Sequence, residues 1–215
     1  AQRLILEYDE IKRAMQHNGL GQKTLRIGCA NGILNLLPFS VLKEFMECYP
    51  DIQVEWAEYE NEVVRDKLIK SEIEYGFVVG SWNEATVTVK KQYETNLVLL
   101  VYAGHELYQE KSICLEQLKN EKIILLNEKF HIFHNLVDAC KARGFFPQII
   151  AKTSDVSSQY KLCREGFGLA VVPEFVKNEF QMEHLHAVPF DEKIKWEVYS
   201  CYKTSMKDYS AVKLF

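Results

Sequence analysis

Short polar residues beside glycine recur at four places that could hold a small molecule: Ala30-Asn31-Gly32-Ile33, Gly80-Ser81, Asn127, and Thr153-Ser154-Asp155. Each follows a segment that reads as a strand. In open α/β sheets, ligands settle beyond the carboxyl ends of strands, where helix N-termini present backbone N–H groups. Short polar side chains with exposed amides suit a small anion such as a carboxylate. Asn31, Ser81, Asn127 and Ser154 could equally cap helices or shape turns. Two such places per lobe, facing a cleft, favour a binding site.

Catalytic chemistry has little to start from. The chain has no GxSxG elbow, no GxxxxGK[ST] phosphate loop and no HExxH metal helix. Glu165-Gly166-Phe167-Gly168 contains GxG, but it follows a helix and precedes a strand, the reverse of a dinucleotide loop. Its glycines are expected to close one helix and start the next strand. His131 and His134 could share a helix face, and His184 and His186 a strand face, yet no Cys or carboxylate lies at supporting spacing. Both pairs read as surface or packing histidines. The expectation is a binding protein rather than an enzyme, with no metal and no cofactor.

The cysteines, Cys29, Cys48, Cys114, Cys140, Cys163 and Cys201, are scattered, and none falls in a CxxC pair. Most sit in apolar segments, so reduced buried thiols in a cytoplasmic protein are expected. Cys29 ends a strand beside the Ala30-Asn31-Gly32 turn. It reads by default as a small buried hydrophobe, with a sensing thiol as the alternative.

These residues need a scaffold, and the pattern supplies one. Leu4, Tyr8, Ile11 and Met15 are spaced four, three and four apart, an a/d seam for pairing with another helix, or equally a terminal helix packed on its own domain. From Thr24 strands and helices alternate. Leu25–Cys29 is a strand, and a helix follows from about Ile33 to Cys48 with Leu37, Val41, Leu42, Phe45 and Met46 on one face. Strand Ile52–Ala57, helix Val63–Lys70 and strand Tyr75–Val79 complete one βαβ series, the signature of a parallel sheet. Leu97–Tyr102, Ile123–Leu126, Gln148–Lys152, Leu169–Val172 and Trp196–Tyr202 are further strands. Helices from about Ile132 to Arg143, and from a Ser154 or Asp155 cap to Arg164, lie between them; another begins near Lys207. The expected fold is therefore α/β, in two lobes, with crossings near Tyr102-Ala103 and Ala187–Pro189 making a two-stranded hinge.

Bulk properties narrow the function. Over 215 residues, 47% are hydrophobic, 26% charged, and the formal net charge is -4. No basic run is longer than two residues, as at Lys90-Lys91. A nucleic-acid grip by this chain itself is not expected, because phosphate contacts demand a basic face. No signal peptide and no membrane-spanning run is visible.

In order along the chain, Leu25-Arg26-Ile27-Gly28, Leu36-Leu37-Pro38, Phe45, Tyr49-Pro50-Asp51-Ile52 and Leu68-Ile69-Lys70-Ser71-Glu72-Ile73-Glu74 resemble the effector domain of LysR-type transcriptional regulators. His105-Glu106-Leu107, Leu115-Glu116-Gln117-Leu118, Gly144 to Pro147 and Gly166-Phe167-Gly168-Leu169-Ala170-Val171-Val172-Pro173 continue the match. The resemblance covers about Thr24 to Phe215, while Ala1 to Gly21 is similar to the end of the dimerising linker helix. It implies two Rossmann-like lobes of the type 2 periplasmic-binding-protein-like fold: residues 24–102 with 188–215, and residues 103–187. It also implies an effector between the lobes, homodimers or homotetramers, and an N-terminal winged helix-turn-helix that this chain lacks and through which alone DNA is bound; the polar strand ends suggest that the effector is anionic. The family's effector contacts fall on Ala30, Asn31, Gly32, Ile33, Gly80, Ser81, Asn127, Phe130, Thr153 and Ser154. Two departures stand out: Glu74 replaces the usual Asp, and Ala30-Asn31 stand where many members have Ser or Thr. The alternative on the same lobes is a solute-binding protein of an ABC transporter.

Overall fold

The computed structural model describes residues 23–36, 39–179, 182–207, 209, 212 and 215. The expected linker helix, residues 1–21, lies outside the described residues. The chain divides into two compact units, one of residues up to Gln92 together with Val198–Phe215, the other Tyr93–Glu197. Both divisions fall inside strands: β4 (Val87–Tyr102) and β9 (Lys195–Lys203) each run from one unit into the other.

In the first unit β1 (Lys23–Ala30) is paired in parallel with β2 (Ile52–Tyr59) on one side and β3 (Tyr75–Val79) on the other. The order continues through β9, antiparallel to β3, to β4. Helix α1 (Phe39–Cys48) and helix α2 (Asn61–Ile69) supply the crossovers. α2 lies close to the sheet because Gly28 and Gly76, opposite one another in the β1–β3 register, have no side chains to hold it off. A Cβ on Gly76 would sit 2.8 Å from Cys201 Sγ and 3.1 Å from Val64 Cγ1. Around this contact Val64, Leu68, Ile73, Val78, Val87 and Cys201 form a buried cluster. Glu74, 4% exposed, fixes the start of β3: its carboxylate accepts from the Arg26 backbone N–H (2.8 Å) and Nε (3.1 Å) and pairs with Nη2, while its own N–H donates to the Arg26 carbonyl.

The second unit is built alike. β5 (Lys122–Leu126) is parallel to β6 (Gln148–Thr153) and to β7 (Leu169–Pro173), and β4 is antiparallel to β7 and to β8 (Leu185–Pro189). Ile123–Leu126 and Leu169–Val172 are buried throughout, the continuous apolar runs of strands covered on both faces. Helices α3 (His131–Ala142) and α4 (Val156–Arg164) make the crossovers, and a short α5 (Val176–Glu179) follows β7. As expected, Gly166 and Gly168 end α4 and lead into β7. Gly166 is left-handed (φ 76°), and the position of a Cβ on Gly168 falls 2.5 Å from the Lys122 carbonyl oxygen.

Two sequence expectations need correction. The helix placed at Ile33–Cys48 is a 3-10 turn, Ile33–Asn35, followed by α1 from Phe39; Pro38 has no N–H to donate and restricts the residue before it. The apolar face assigned to that helix is not all core, for Phe45 is buried but Val41 is 55% and Met46 44% exposed. β4 is also longer than Leu97–Tyr102, beginning at Val87. The added residues are mostly polar and are held by β9, with Gln92 Nε2 donating to Ser200 Oγ at 2.7 Å.

Replacing Gly76 by Ala should cost about 1–3 kcal/mol, the usual penalty for overpacking. Gly28→Ala should cost less, since its clash is with the far end of the Ile73 side chain. Urea unfolding of the two variants checks this; a larger loss for Gly28→Ala would mean that α2 is not seated on the glycine pair.

Candidate functional site

In the first unit, parallel pairing of β1 and β3 brings their carboxyl ends to the same edge, so Ala30–Ile33 and Gly80–Ser81 lie at that edge together. Ala30 and Ile33 are buried and contribute packing, Asn31 and Gly32 are half-buried, and Ser81 is exposed. Gly32 and Gly80 hold left-handed backbone (φ 87° and 79°), which turns the chain sharply at each strand end. The Asn31 N–H donates to the Tyr59 carbonyl at 2.9 Å, and the Gly32 N–H donates to the Glu58 carboxylate at 2.9 Å.

β3 ends under tight control. Asn61, at the start of α2 and 6% exposed, accepts from the Val79 N–H through Oδ1 (2.7 Å) and donates from Nδ2 to the Val79 carbonyl (3.2 Å). One helical turn on, Arg65 donates from Nη2 to the Ser81 carbonyl (3.3 Å) and from Nη1 to Glu62 (2.9 Å). Its guanidinium lies 5.5 Å from the centre of the Trp82 ring.

In the second unit the corresponding edge holds Asn127, Phe130, Thr153 and Ser154, after β5 and β6. The Asn127 N–H donates to the Thr153 carbonyl (2.9 Å), its side-chain oxygen accepts from the Lys129 N–H (3.1 Å), and its carbonyl accepts from the Phe130 N–H (3.1 Å). Phe130 is the N-cap position of α3 and makes no side-chain capping bond. Ser154 is exposed, and the cap of α4 is Asp155. The Asp155 carboxylate accepts from the N–H groups of Ser157 (3.2 Å) and Ser158 (2.7 Å) and from the Ser158 hydroxyl (2.6 Å). The Ser158 hydroxyl bond chiefly holds its carboxyl below the usual aspartate range. Inside the same edge Gln159, fully buried, donates from Nε2 to the carbonyls of Ile124 (3.0 Å) and Val171 (3.1 Å), joining β5 and β7 where their ladder has ended.

Each unit therefore gathers its expected residues at one strand edge. The amides do not stand ready as expected, however. Glu58 takes the N–H of Gly32 and Asp155 takes the first turn of α4, because a strand end or helix start satisfies its own donors when a short acidic side chain is within reach. Asn61, Arg65, Glu58 and Gln159 escaped the sequence reading. Asn61 opening a helix just after a strand end was the one usable signal.

The other chemical candidates are quieter. Cys29 is fully buried, and burial, with a smaller contribution from Glu58, pushes its thiol up to about 12. Cys163 and Cys201 are pushed equally high by burial, and each donates a weak S–H bond to a strand carbonyl, Leu100 and Gly76 respectively. Nothing here favours a thiolate. His134 Nε2 lies 2.7 Å from the Glu128 carbonyl, and His184 is exposed beside Glu183. Among the described residues no group of three or more His, Cys, Asp or Glu is placed to hold a metal. No helix there is long and apolar enough to cross a membrane.

A family model described as the LysR substrate binding domain matches residues 18–215. The chain belongs to that family. It is 27% identical over 159 residues to YwbI, an HTH-type transcriptional regulator of Bacillus subtilis strain 168, covering 74% of this chain and 53% of that one. It is 25% identical over 194 residues to BenM, an HTH-type transcriptional regulator of Acinetobacter baylyi, covering 87% of this chain and 62% of BenM. The chain thus spans about half the length of several regulators it matches. Among solved structures, the BenM effector-binding domain with its effector benzoate superposes with a TM-score of 0.80 at 22% identity, over 90% of this chain and 89% of that one. A full-length OxyR variant from Pseudomonas aeruginosa gives 0.79 at 19% identity, over 99% and 75%. These likenesses establish the fold: the LysR effector-binding domain, of the type 2 periplasmic-binding-protein-like class. They also set aside the transporter alternative, since the named relatives are transcription regulators.

Thiol labelling of the native LysR domain should follow burial. Cys48, exposed, and Cys114, half-buried, should react with a maleimide first. Cys29, Cys140, Cys163 and Cys201 should react only on unfolding. Rapid native labelling of Cys29 would reopen a sensing role for that thiol.

Proposed function

We propose that this chain is the sensing part of a bacterial transcription regulator, acting in the cytoplasm, without a catalytic step of its own. A small anionic metabolite binds at the strand ends Ala30–Ile33, Gly80–Ser81, Asn127–Phe130 and Thr153–Ser154. Its binding alters how a helix-turn-helix carried elsewhere in the full-length protein engages DNA. The observation that carries this reading is the gathering of short polar residues at the carboxyl edge of the parallel strands in each unit. An effector changes the regulator only through different affinities for two arrangements. Because Glu58 and Asp155 already engage the amides of Gly32 and α4, an effector carboxylate is best met by the exposed hydroxyls of Ser81 and Ser154 and the side chain of Asn31.

Self-association belongs to the same proposal. β2 and β6 are edge strands, and Trp56 on β2 is 44% exposed, Ile150 on β6 43%, and Phe146 just before β6 67%. On α1, Phe39, Val41 and Met46 are exposed as well. Such apolar surface supports burial against a second copy.

A thermal-shift panel of small carboxylates, with benzoate and malonate among them, and amino acids tests the sensing reading. An effector at about a hundred times its Kd should stabilise the chain by about 2.7 kcal/mol, read as a rise in Tm. Asn31→Ala and Ser154→Ala should each diminish that rise. A rise untouched by both would place the ligand elsewhere. Solution mass checks the second part: a dimer or tetramer is expected, and Phe146→Asp or Val41→Asp should shift it toward monomer. A monomer at all concentrations would remove self-association through this chain.

A further inference from the structure

Helix α2 touches the β3 exit at two points one helical turn apart. Asn61 satisfies both the N–H and the C=O of Val79, acting in place of a neighbouring strand. Arg65 binds the carbonyl of Ser81, with its fork shared with Glu62 and its plane beside Trp82. The residue between, Gly80, is left-handed, so the turn reverses within three residues and both of its flanks are tied to one helix face. That helix is itself seated on the Gly28–Gly76 pair through Val64, which lies between Asn61 and Arg65. Two further facts separate these groups from ordinary packing. Asn61 is a buried amide whose bonds go to the terminal residue of the strand rather than to its own helix. Arg65 keeps a charge largely out of solvent, its side chain 15% exposed, and its buried Nε has no hydrogen-bond partner among the described residues. Holding a cation there in spite of that orphan donor indicates a local demand for its other contacts.

We infer that Asn61 and Arg65 are positioning residues that hold the Gly80–Ser81 turn in its effector-binding conformation. This rests on the reading that Gly80–Ser81 contacts the effector. The two residues act through the turn and need no contact with the effector. Asn61 fixes where β3 stops, and Arg65 fixes the direction in which Ser81 leaves. The same clamp explains how β3 ends in order on its β1 side, where the register stops at Phe77 while Val79 still faces Val198 of β9 on the other side.

The test uses the isotopically labelled chain with benzoate and malonate as probes. Its variants are Asn61→Ser, Arg65→Gln, the partial restoration Arg65→Lys, and Leu68→Ala as a destabilised control on the same helix. Asn61→Ser and Arg65→Gln should speed amide exchange at Gly80 and Ser81 and weaken probe binding by about tenfold, the scale of one lost hydrogen bond. Leu68→Ala should lower Tm without either change, and Arg65→Lys should recover part of the affinity. Equal weakening by Leu68→Ala would overturn the clamp, leaving only general stability. If the unsubstituted chain binds neither probe, the carboxylate reading fails for those compounds, while exchange at Gly80 and Ser81 still decides the clamp: unchanged exchange in both Asn61→Ser and Arg65→Gln overturns it. If Asn61→Ser does not fold, Arg65→Gln against Leu68→Ala carries the same decision.

Discussion

The first unit depends on how closely a helix can approach a sheet. Gly28 on β1 and Gly76 on β3 stand opposite one another, and Val64 of α2 packs over both, 3.5 Å and 3.1 Å from where their Cβ atoms would be. Close packing of this kind admits little adjustment, since protein interiors are as dense as organic crystals. Once α2 is seated, Asn61 and Arg65 fall at the end of β3, and Leu68 and Ile73 complete the buried cluster beneath. The Arg26–Glu74 pair acts at the other end of the same strand. Its carboxylate is almost wholly buried and is met by a backbone N–H as well as the guanidinium, so the pair sets register more than it adds stability. β3 is thereby fixed at both ends by groups outside the sheet ladder.

Much of this was legible in the sequence. Tyr75–Val79 reads as a strand because it is an apolar run and Gly80-Ser81 follows, and β5 and β7 carry the same continuous apolar signal. The gathering of polar residues at strand ends follows from alternating strands and helices, which force parallel pairing. What stayed hidden depends on partners. The first half of β4, from Val87 through Lys90 and Lys91 to Asn96, has no clean two-residue alternation, and its strand state is supplied by β9 through contacts such as Gln92 with Ser200. Val41 and Met46 share the helical spacing of Phe45, and periodicity cannot say which apolar residues a single chain leaves uncovered. Asn61 and Gln159 are ordinary polar residues until the strand carbonyls they meet are known.

The two units solve one problem with different chemistry. At the carboxyl edge of a parallel sheet, the strands splay and the last backbone groups lose their ladder partners. The first unit satisfies them with Asn61 on Val79 and Glu58 on Gly32; the second does so with Gln159 on Ile124 and Val171 and Asp155 on α4. Carboxamides take the buried positions and carboxylates the exposed ones. That division follows from solvation, because a buried carboxylate without a matched cation costs far more than a buried neutral amide, even one such as Gln159 whose Oε1 has no hydrogen-bond partner among the described residues.

This self-satisfaction bears on how such a domain senses. An edge with many unpaired amides would seize any anion available, and selectivity would be poor. An edge whose donors are already held by Glu58 and Asp155 offers no large gain to a passing anion. Under the proposed function, binding is then favourable only for a molecule that meets the exposed polar side chains of such an edge without disturbing those carboxylates. A ligand's ability to shift a regulator equals its preference for one arrangement over another, whatever its absolute affinity. A pre-satisfied edge keeps absolute affinity modest and leaves the discriminating contacts to a few exposed side chains. On that proposal the residues around the strand ends select the molecule that is sensed, while Asn61, Arg65 and the glycine pair hold the first unit's edge in the shape that selection needs.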